Sequence, residues 1–413
     1  MPWLENWIEA ALHKLRHRTD EDQAFEVARK EAERRFKAGL EDVSSALMDE
    51  FAREERDEQA RQSERRRRRL RLLEEAARFD ELTLDARGAT HKLRQMAEID
   101  GQSGSYAIGL YLFKQAQKYF ERGDKEGENS ALLVSIEAYR EVLKQNTRDR
   151  APSACALAQG NLGAALMLLG ERESGTARLQ EAVVAFREAL KEQERGHDRL
   201  ACAATQNNLG VALTAIGKRE TGAESLVKAV EAFREALKER KRERIPVKWA
   251  ETQHNMGIAL AELGDRETAV KRLVRAIEVF REALKERTRK RVPLHWAATQ
   301  NELGVALMRL GKREKDTGKL ERAIDVFREA LEERTRERVP LQWGTTKHNL
   351  GMALMALGES KSDGKTLRCS AEALRAALKE RTRERVPPQW AETQDNLRKV
   401  ELLLSRVAQE GAT

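Results

Sequence analysis

The sequence is short of almost everything that a sheet-rich, disulfide-bonded or membrane-spanning protein needs. Its three cysteines (Cys155, Cys202 and Cys369) contain no close pair among 413 residues. That excludes a disulfide framework and a cysteine zinc site, and it fits a reducing compartment. Seven prolines and 5% aromatic residues suit long, surface-rich helices better than sheets. No apolar run approaches the ~20 residues of a membrane span. The opening Met1-Pro-Trp-Leu-Glu lacks the basic start and apolar core of a signal peptide, so a cytoplasmic location is expected. The phosphate-cradling, dinucleotide-binding, HExxH and CxxC patterns are all missing. The seven histidines are scattered. No catalytic residue, metal ligand or cofactor is therefore assigned.

Charge, by contrast, is abundant and nearly balanced. Lysine and arginine number 77 against 69 acidic residues, for a net charge of +8. Such an excess gives weak attraction to acidic partners, without the strong bias of a dedicated nucleic-acid protein.

Above all, the chain repeats itself. Gly163, Gly210, Gly257, Gly304 and Gly351 follow one another at 47-residue intervals. So do Gly123, Gly170, Gly217, Gly264, Gly311 and Gly358, and Trp249, Trp296, Trp343 and Trp390. Phe186, Phe233, Phe280 and Phe327 keep the same register within Ala-x-x-x-Phe-Arg-Glu-Ala-Leu. A period in the range of ~20 to 50 residues signals a solenoid, in which each unit buries its apolar face only against its neighbours.

Within one unit the pattern is two helices. Trp249, Met256, Leu260 and Leu263 form one stripe at 100° per residue, and Leu273, Ala276, Ile277, Phe280 and Leu284 form the next. Gly257 leaves room for a neighbouring helix, and Gly264 is expected to end the first helix. The run Lys285-Glu-Arg-Thr-Arg-Lys-Arg291 reads as a solvated helix end, before Val292-Pro293 forces a turn.

Gln253-x-x-Met256-Gly257-x-x-Leu260, then Ala276-x-x-x-Phe280-x-x-Ala283 and a later proline, resembles the tetratricopeptide repeat. The resemblance runs from residue 106 to about 409, as six units over 106–389 with a degenerate first copy. A capping helix and tail follow at 390–413. Two departures stand out: the usual aromatic one turn before the Leu-Gly pair is Gln here, and the period exceeds the ~34 residues of the standard unit. Both helices must be longer, as in the long-repeat branch that includes kinesin light chains. The resemblance implies an all-α, right-handed solenoid whose first helices line a concave groove for a peptide or protein segment.

In peptide-binding members, asparagines two residues before the repeat glycine form a ladder to the ligand backbone. Asn161, Asn208, Asn255 and Asn349 occupy that position, with Asn396 in the cap. In the fourth clear unit Glu302 takes it, and Asn301 comes one residue early. Asn255 shares a strip with Glu251, Ile258 and Glu262, about 110° round from the core stripe. An amide both donates and accepts, so such a row suits a peptide backbone. It equally suits a tie from repeat to repeat, and both roles stay open. Met167, Met308 and Met355 recur beside the ladder, as adaptable contacts or gap-fillers.

Residues 1–100 form a charged helical region, either a hairpin or a coiled-coil-like arm. Trp3, Leu4, Trp7, Ile8, Ala11, Leu12 and Leu15 make an amphipathic start suited to docking or self-association, or to lying on a membrane surface, which Glu5 and Glu9 oppose. Phe25, Ala28, Ala32, Phe36, Leu40, Val43, Leu47 and Phe51 continue a narrow stripe. Arg65, Arg66, Arg67, Arg68 and Arg69 are consecutive. They read as a solvated face, or as contacts to an anionic partner in a nucleic-acid-associated regulator. The leading expectation is a non-enzymatic scaffold that binds a protein or peptide in the groove.

Overall fold

The computed structural model describes residues 40–101, 104–145 and 151–410. The amphipathic segment from Trp3 to Leu15 and the stripe from Phe25 to Phe36 lie outside them. The chain divides into two compact units, Met1–Ala76 and Ala77–Thr413. In the first, the described residues belong to helix α1 (Leu40–Leu82), which is unbroken for 43 residues. No hairpin interrupts it. At 1.5 Å per residue it is roughly 65 Å long.

The second unit takes in the end of α1 from Ala77 and continues with α2 (Ala86–Ile99), capped by Asp85, whose carboxylate accepts from the Gly88 backbone N–H. Six helix pairs follow. The first helix of each, here helix A, is α3 (Ser105–Glu126), α5 (Pro152–Arg172), α7 (Arg199–Arg219), α9 (Pro246–Arg266), α11 (Pro293–Glu314) or α13 (Pro340–Ser360). The B helices are α4 (Asn129–Gln145), α6 (Ala177–Arg195), α8 (Glu224–Glu239), α10 (Val270–Glu286), α12 (Thr317–Glu333) and α14 (Gly364–Leu378). Helix α15 (Pro387–Glu410) closes the array. Each A helix packs on its own B helix, each B on the next A, and each A on the next A. From α4 onward the B helices do not approach one another. Among the described residues there is no strand.

The compact body extends further back than the sequence boundary at residue 100. Helix α2 stands one period before α4, and its Arg94 pairs with Glu141, 47 residues on, at 3.2 Å. Glu81, almost fully buried, takes both guanidinium nitrogens of Arg122. Leu93 and Ala97 bury with Leu112 and Val142.

Local sequence explains the helix starts. Pro246, Pro293 and Pro340 each sit at the first helical turn, where the missing N–H costs nothing. The preceding Ile245, Val292 and Val339 have φ near −140° to −146°, since a residue before proline is pushed out of the helical region. Helix α7 lacks the proline and uses Asp198 instead, which accepts from the Ala201 N–H at 3.0 Å.

Helix α5 qualifies the expectation about apolar runs. By length and composition it could cross a membrane, with a mean hydropathy of 1.3 over its most apolar stretch. Half of that stretch is buried, with Leu162, Leu166 and Leu169 in the repeat core. It is the core helix of its pair.

The recurrent glycines do not end helices. Gly264 lies inside α9, which runs on to Arg266. After α9, α11 and α13 the left-handed residues are Thr268, Lys315 and Ser362, also one period apart, with φ of 51° to 54°. The glycines are instead contact points for the partner helix. A Cβ on Gly163, Gly210, Gly257 or Gly304 would stand 2.6–2.7 Å from the ring of Phe186, Phe233, Phe280 or Phe327. A Cβ on Gly264 would meet Leu273 at 3.0 Å, and one on Gly217 would meet Leu226 at 2.6 Å. The two contacts lie seven residues apart on each helix, running in opposite directions. All four phenylalanines are fully buried.

This geometry predicts opposite signs for two glycine-to-alanine changes. Gly257→Ala has to displace the Phe280 ring and should destabilise by about 1–3 kcal/mol. Gly160→Ala in α5, where nothing lies within 4 Å of the added carbon, should stabilise by about 0.5–1 kcal/mol through helix propensity. Equal shifts in chemical denaturation would show that the ring contact does not set the spacing of the pair.

Candidate functional site

The A helices are neighbours across repeats and the B helices are not, so the array curves towards the A side. The strip carrying Glu251, Asn255, Ile258 and Glu262 faces that inner side. These four residues are half-buried. Between α7 and α9 the face sinks into a depression of about 380 Å³, lined by Val211, Ala215, Phe233, Ile258, Asn255 and Lys218, among others.

The asparagines make two kinds of contact. Asn255 Nδ2 donates to Asn207 Oδ1 at 3.2 Å, and Asn207 Nδ2 donates to Asn208 Oδ1 at 3.3 Å. The motif recurs two repeats later, where Asn349 Nδ2 donates to Asn301 Oδ1 at 3.1 Å and Asn301 donates to Glu302 at 3.0 Å. Ladder amides thus bridge adjacent repeats. Asn207 and Asn301 are the buried hinges of these bridges. Asn161 bonds the buried Tyr139 hydroxyl, whose pKa is driven up by burial. Asn396, in the cap, is buried. Of the ladder residues, Asn255 lines the depression as well as bridging repeats.

The acidic residues of the strip have partners too. Glu262 pairs with Arg309, one period on, at 3.2 Å, and Arg309 also reaches Asp265 at 3.1 Å. Glu251 takes Lys248 at 2.9 Å and approaches the buried Arg240 at 3.7 Å.

Arg240 is one of a series that the sequence reading placed in solvent. Arg240, Arg287 and Arg381 are buried at the B-to-A turns, and Arg334 is nearly so. Each donates to a threonine twelve residues later: Thr252 at 2.8 Å, Thr299 at 3.2 Å, Thr346 at 3.0 Å and Thr393 at 2.9 Å. Burial pulls each guanidinium below its usual pKa, and a nearby Glu251, Glu302 or Glu392 opposes that. A charge run looks solvated because composition does not reveal which of its members points inward.

The remaining arginines of the run staple successive repeats. Glu286 is held by Arg242 and Arg291, Glu333 by Arg289 and Arg338, and Glu380 by Arg336 and Arg385. Arg242, Arg289 and Arg336 also lie over the rings of Trp249, Trp296 and Trp343, at 5.3–5.9 Å from the centroids. The tryptophans are therefore half-buried platforms at the turn and not members of the core stripe. At the far ends of the A helices, Arg172, Arg219, Arg266 and Arg313 donate to the carbonyls of Gly123, Gly170, Gly217 and Gly264 in the preceding repeat. Those carbonyls belong to a helix terminus that lacks internal donors.

His254 and His348 alternate with Asn207 and Asn301 at one register position. Nδ1 of each lies 3.2 and 3.0 Å from the hydroxyls of Thr299 and Thr393, which accept from Arg287 and Arg381. Burial first, and these arginines second, bring both imidazole pKa values down to about 3. The histidines are neutral bridges between repeats. Among the described residues no cluster of three or more metal-capable side chains occurs.

A pH dependence follows. The unfolded histidines take up protons below about pH 6.5, while the folded ones stay neutral to about pH 3, so stability falls as pH is lowered through that window. From about pH 7.5 to 5.5 each histidine should cost about 1 kcal/mol. Replacing both with the asparagine found at positions 207 and 301 should flatten the slope in denaturant melts. An unchanged slope would mean that the imidazoles are protonated in the fold.

Residues 249–288, spanning most of α9 and all of α10, match the tetratricopeptide repeat family model. No curated protein matches the sequence. Among solved structures, the chain is similar to the TPR2AB domain of yeast Sti1 in a complex with pHSP90, at 17% identity, covering 71% of this chain and 99% of that one with a TM-score of 0.25. It is also similar to a circular tandem repeat protein with novel repeat topology and enhanced subunit contact surfaces (18% identity, 84% and 92% covered, TM-score 0.30). A third similarity is to a structure from the computational design of self-assembling cyclic protein homooligomers (15% identity, 83% and 98% covered, TM-score 0.11). The chain therefore carries a tetratricopeptide repeat at residues 249–288 within an all-helical, tetratricopeptide-like solenoid.

Proposed function

We propose that the solenoid is a non-enzymatic interaction scaffold that holds a protein or peptide segment against the inner face of its A helices. The observation that carries this reading is the depression between α7 and α9. It has an apolar floor of Val211, Ala215, Phe233 and Ile258, with Asn255 and Lys218 at its edge. Apolar walls with a few placed polar groups are the usual make-up of a recognition site. Asn161, Asn208, Asn255 and Asn349 serve this face in two ways. Asn161, Asn255 and Asn349 each bond a residue of the preceding repeat, and the capacity that these amides and Asn208 have left is offered to the ligand backbone.

The test is partner capture with quantitative co-purification from the native cytoplasm. Ala215→Arg fills the depression with a charge and should abolish capture. Val184→Arg, at a position 60% exposed on α6, should leave capture intact. Both variants must keep wild-type helicity and melting temperature. Capture that survives Ala215→Arg, or is lost equally with Val184→Arg, would rule out the inner face as the site.

A second reading attaches to α1, where Arg65 through Arg69 are all exposed. Contact of this helix with nucleic acid would give binding that weakens steeply with salt, with a log–log slope of about −0.7 to −0.9 per phosphate contacted. Replacing all five with glutamine should then flatten the slope. Absence of binding at physiological salt, or an unchanged slope, dismisses that reading.

A further inference from the structure

Exposed large apolar side chains on the A helices are not scattered. Tyr106, Leu110, Leu157, Leu200, Val247 and Leu294 are between 36% and 63% exposed. By helical angle all six fall on the inner strip, within about 80° of the ladder asparagine position. All lie in the first two turns of their helices. Tyr106, Leu200, Val247 and Leu294 occupy one register position, and Leu110 and Leu157 occupy the one a turn further on. Together they form an apolar row along one margin of the inner face, crossing five consecutive repeats.

The turns leading into Val247 and Leu294 of this row are basic, whereas the one leading into Leu200 is balanced, with Glu194 and Asp198 against Arg195 and Arg199. From Lys238 to Lys248 there are six basic residues against two acidic, and from Lys285 to His295 five against one. Arg240 and Arg287 are buried, but Lys241, Arg244, Lys248, Lys290 and Arg291 are exposed. The A-helix amino termini also present the positive end of the helix dipole to the same margin. At Val247 and Leu294 the apolar row therefore has a positive margin, which is complementary to a partner that is apolar on one side and acidic beside it.

Spacing selects the conformation of that partner. Packed helices stand roughly 8–10 Å apart, so the row offers one apolar contact at about that interval. A partner α-helix advances about 10.5 Å in seven residues and returns the same face. A strand covers about 10 Å in three residues, but three residues turn the side chain to the opposite face. A polyproline helix also repeats in about 9 Å. Its usual receptors are aromatic grooves, however, and this row is leucine and valine apart from Tyr106.

We infer that the amino-terminal margin of the A helices is a docking row for an acidic amphipathic α-helix of a partner protein, with apolar residues at heptad spacing. This rests on the scaffold reading and names the class of partner.

The probe is a synthetic acidic peptide helix with leucines at seven-residue spacing, labelled for fluorescence anisotropy and titrated with the full chain. It would be compared with a scrambled peptide of the same composition, a version with lysine in place of glutamate, and a proline-rich peptide with leucine every third residue. The acidic heptad peptide should bind about 10-fold or more tighter than the other three, a difference of ~1.4 kcal/mol. Its binding should weaken with salt, and the Leu157→Ser/Leu200→Ser variant should lose it by at least the same factor while keeping its helicity. Both substituted positions are about half exposed, so the fold does not need them. Equal binding of the scrambled peptide, preference for the lysine or proline-rich peptide, or indifference to the variant would each overturn the inference. If a captured partner is lost with Ala215→Arg but kept by Leu157→Ser/Leu200→Ser, the scaffold reading stands and this row is not its site. If Ala215→Arg also leaves capture intact, both readings fall.

Discussion

The structure depends on one close contact, repeated: an aromatic ring of the B helix lying on a glycine of its own A helix. Phe280 on Gly257 and Leu273 on Gly264 fix the two helices at two points one heptad apart. With both points set, the pair has a single spacing and a single register. Every other regularity can then be built on a rigid two-helix unit. The last pair shows that the ring itself is not essential, since Leu374 meets Gly351 in its place. The missing Cβ is what persists. In the first pair even this is relaxed, with Ala116 opposite Tyr139, and there the tyrosine hydroxyl gains a partner in Asn161.

The long period has a physical use. The period exceeds the ~34 residues of the standard unit, and the stretch from the end of one B helix through the turn into the next A helix is put to use. This stretch carries the buried arginine and its threonine, the tryptophan platform and the doubly held glutamate. It also carries the exposed apolar row. These staples lie at the turns, while the depression in the middle of the inner face holds the Asn255 bridge. A repeat array is stabilised by its nearest-neighbour interfaces as much as by the units themselves. Here those interfaces share an apolar core continuous from Ala116 to Ala373, and guanidinium–carboxylate pairs, amide bridges and neutral imidazoles are added to it.

Much of this was legible in the sequence, for a specific reason. Features that recur at fixed register can be read as geometry, so the period, the two-helix unit and the close approach at Gly257 all follow from spacing. In the last helix Arg398 replaces the glycine and is exposed, and Val400 is fully buried. What was misread lay in the charged turns. Arg287 and Arg291 are four residues apart in one basic run, yet one is buried against Thr299 and the other is exposed. The signal was present in the invariant twelve-residue interval from each arginine to its threonine, but an interval is informative only once a contact is suspected. Gly264 was misread for a different reason. Glycine near a helix end has two uses, and only the position of Leu273 tells close approach from a turn.

The polar bridges also specify register in a way that an apolar interface would not. An apolar surface tolerates sliding, whereas Asn255 can reach Asn207, and Asn349 can reach Asn301, at only one relative position of the two helices. The alternation of asparagine with histidine follows from the same need. Asn207 and Asn301 use the amide to link sideways within the ladder, while His254 and His348 reach over to the threonine of the next repeat. Neighbouring interfaces are therefore chemically distinct although the backbone repeats. A solenoid with identical interfaces could pair any repeat with any other during folding. Alternating two chemistries penalises the pairing that is wrong by one unit, because it would leave a buried amide or imidazole without its partner, at a cost of about 1–3 kcal/mol each.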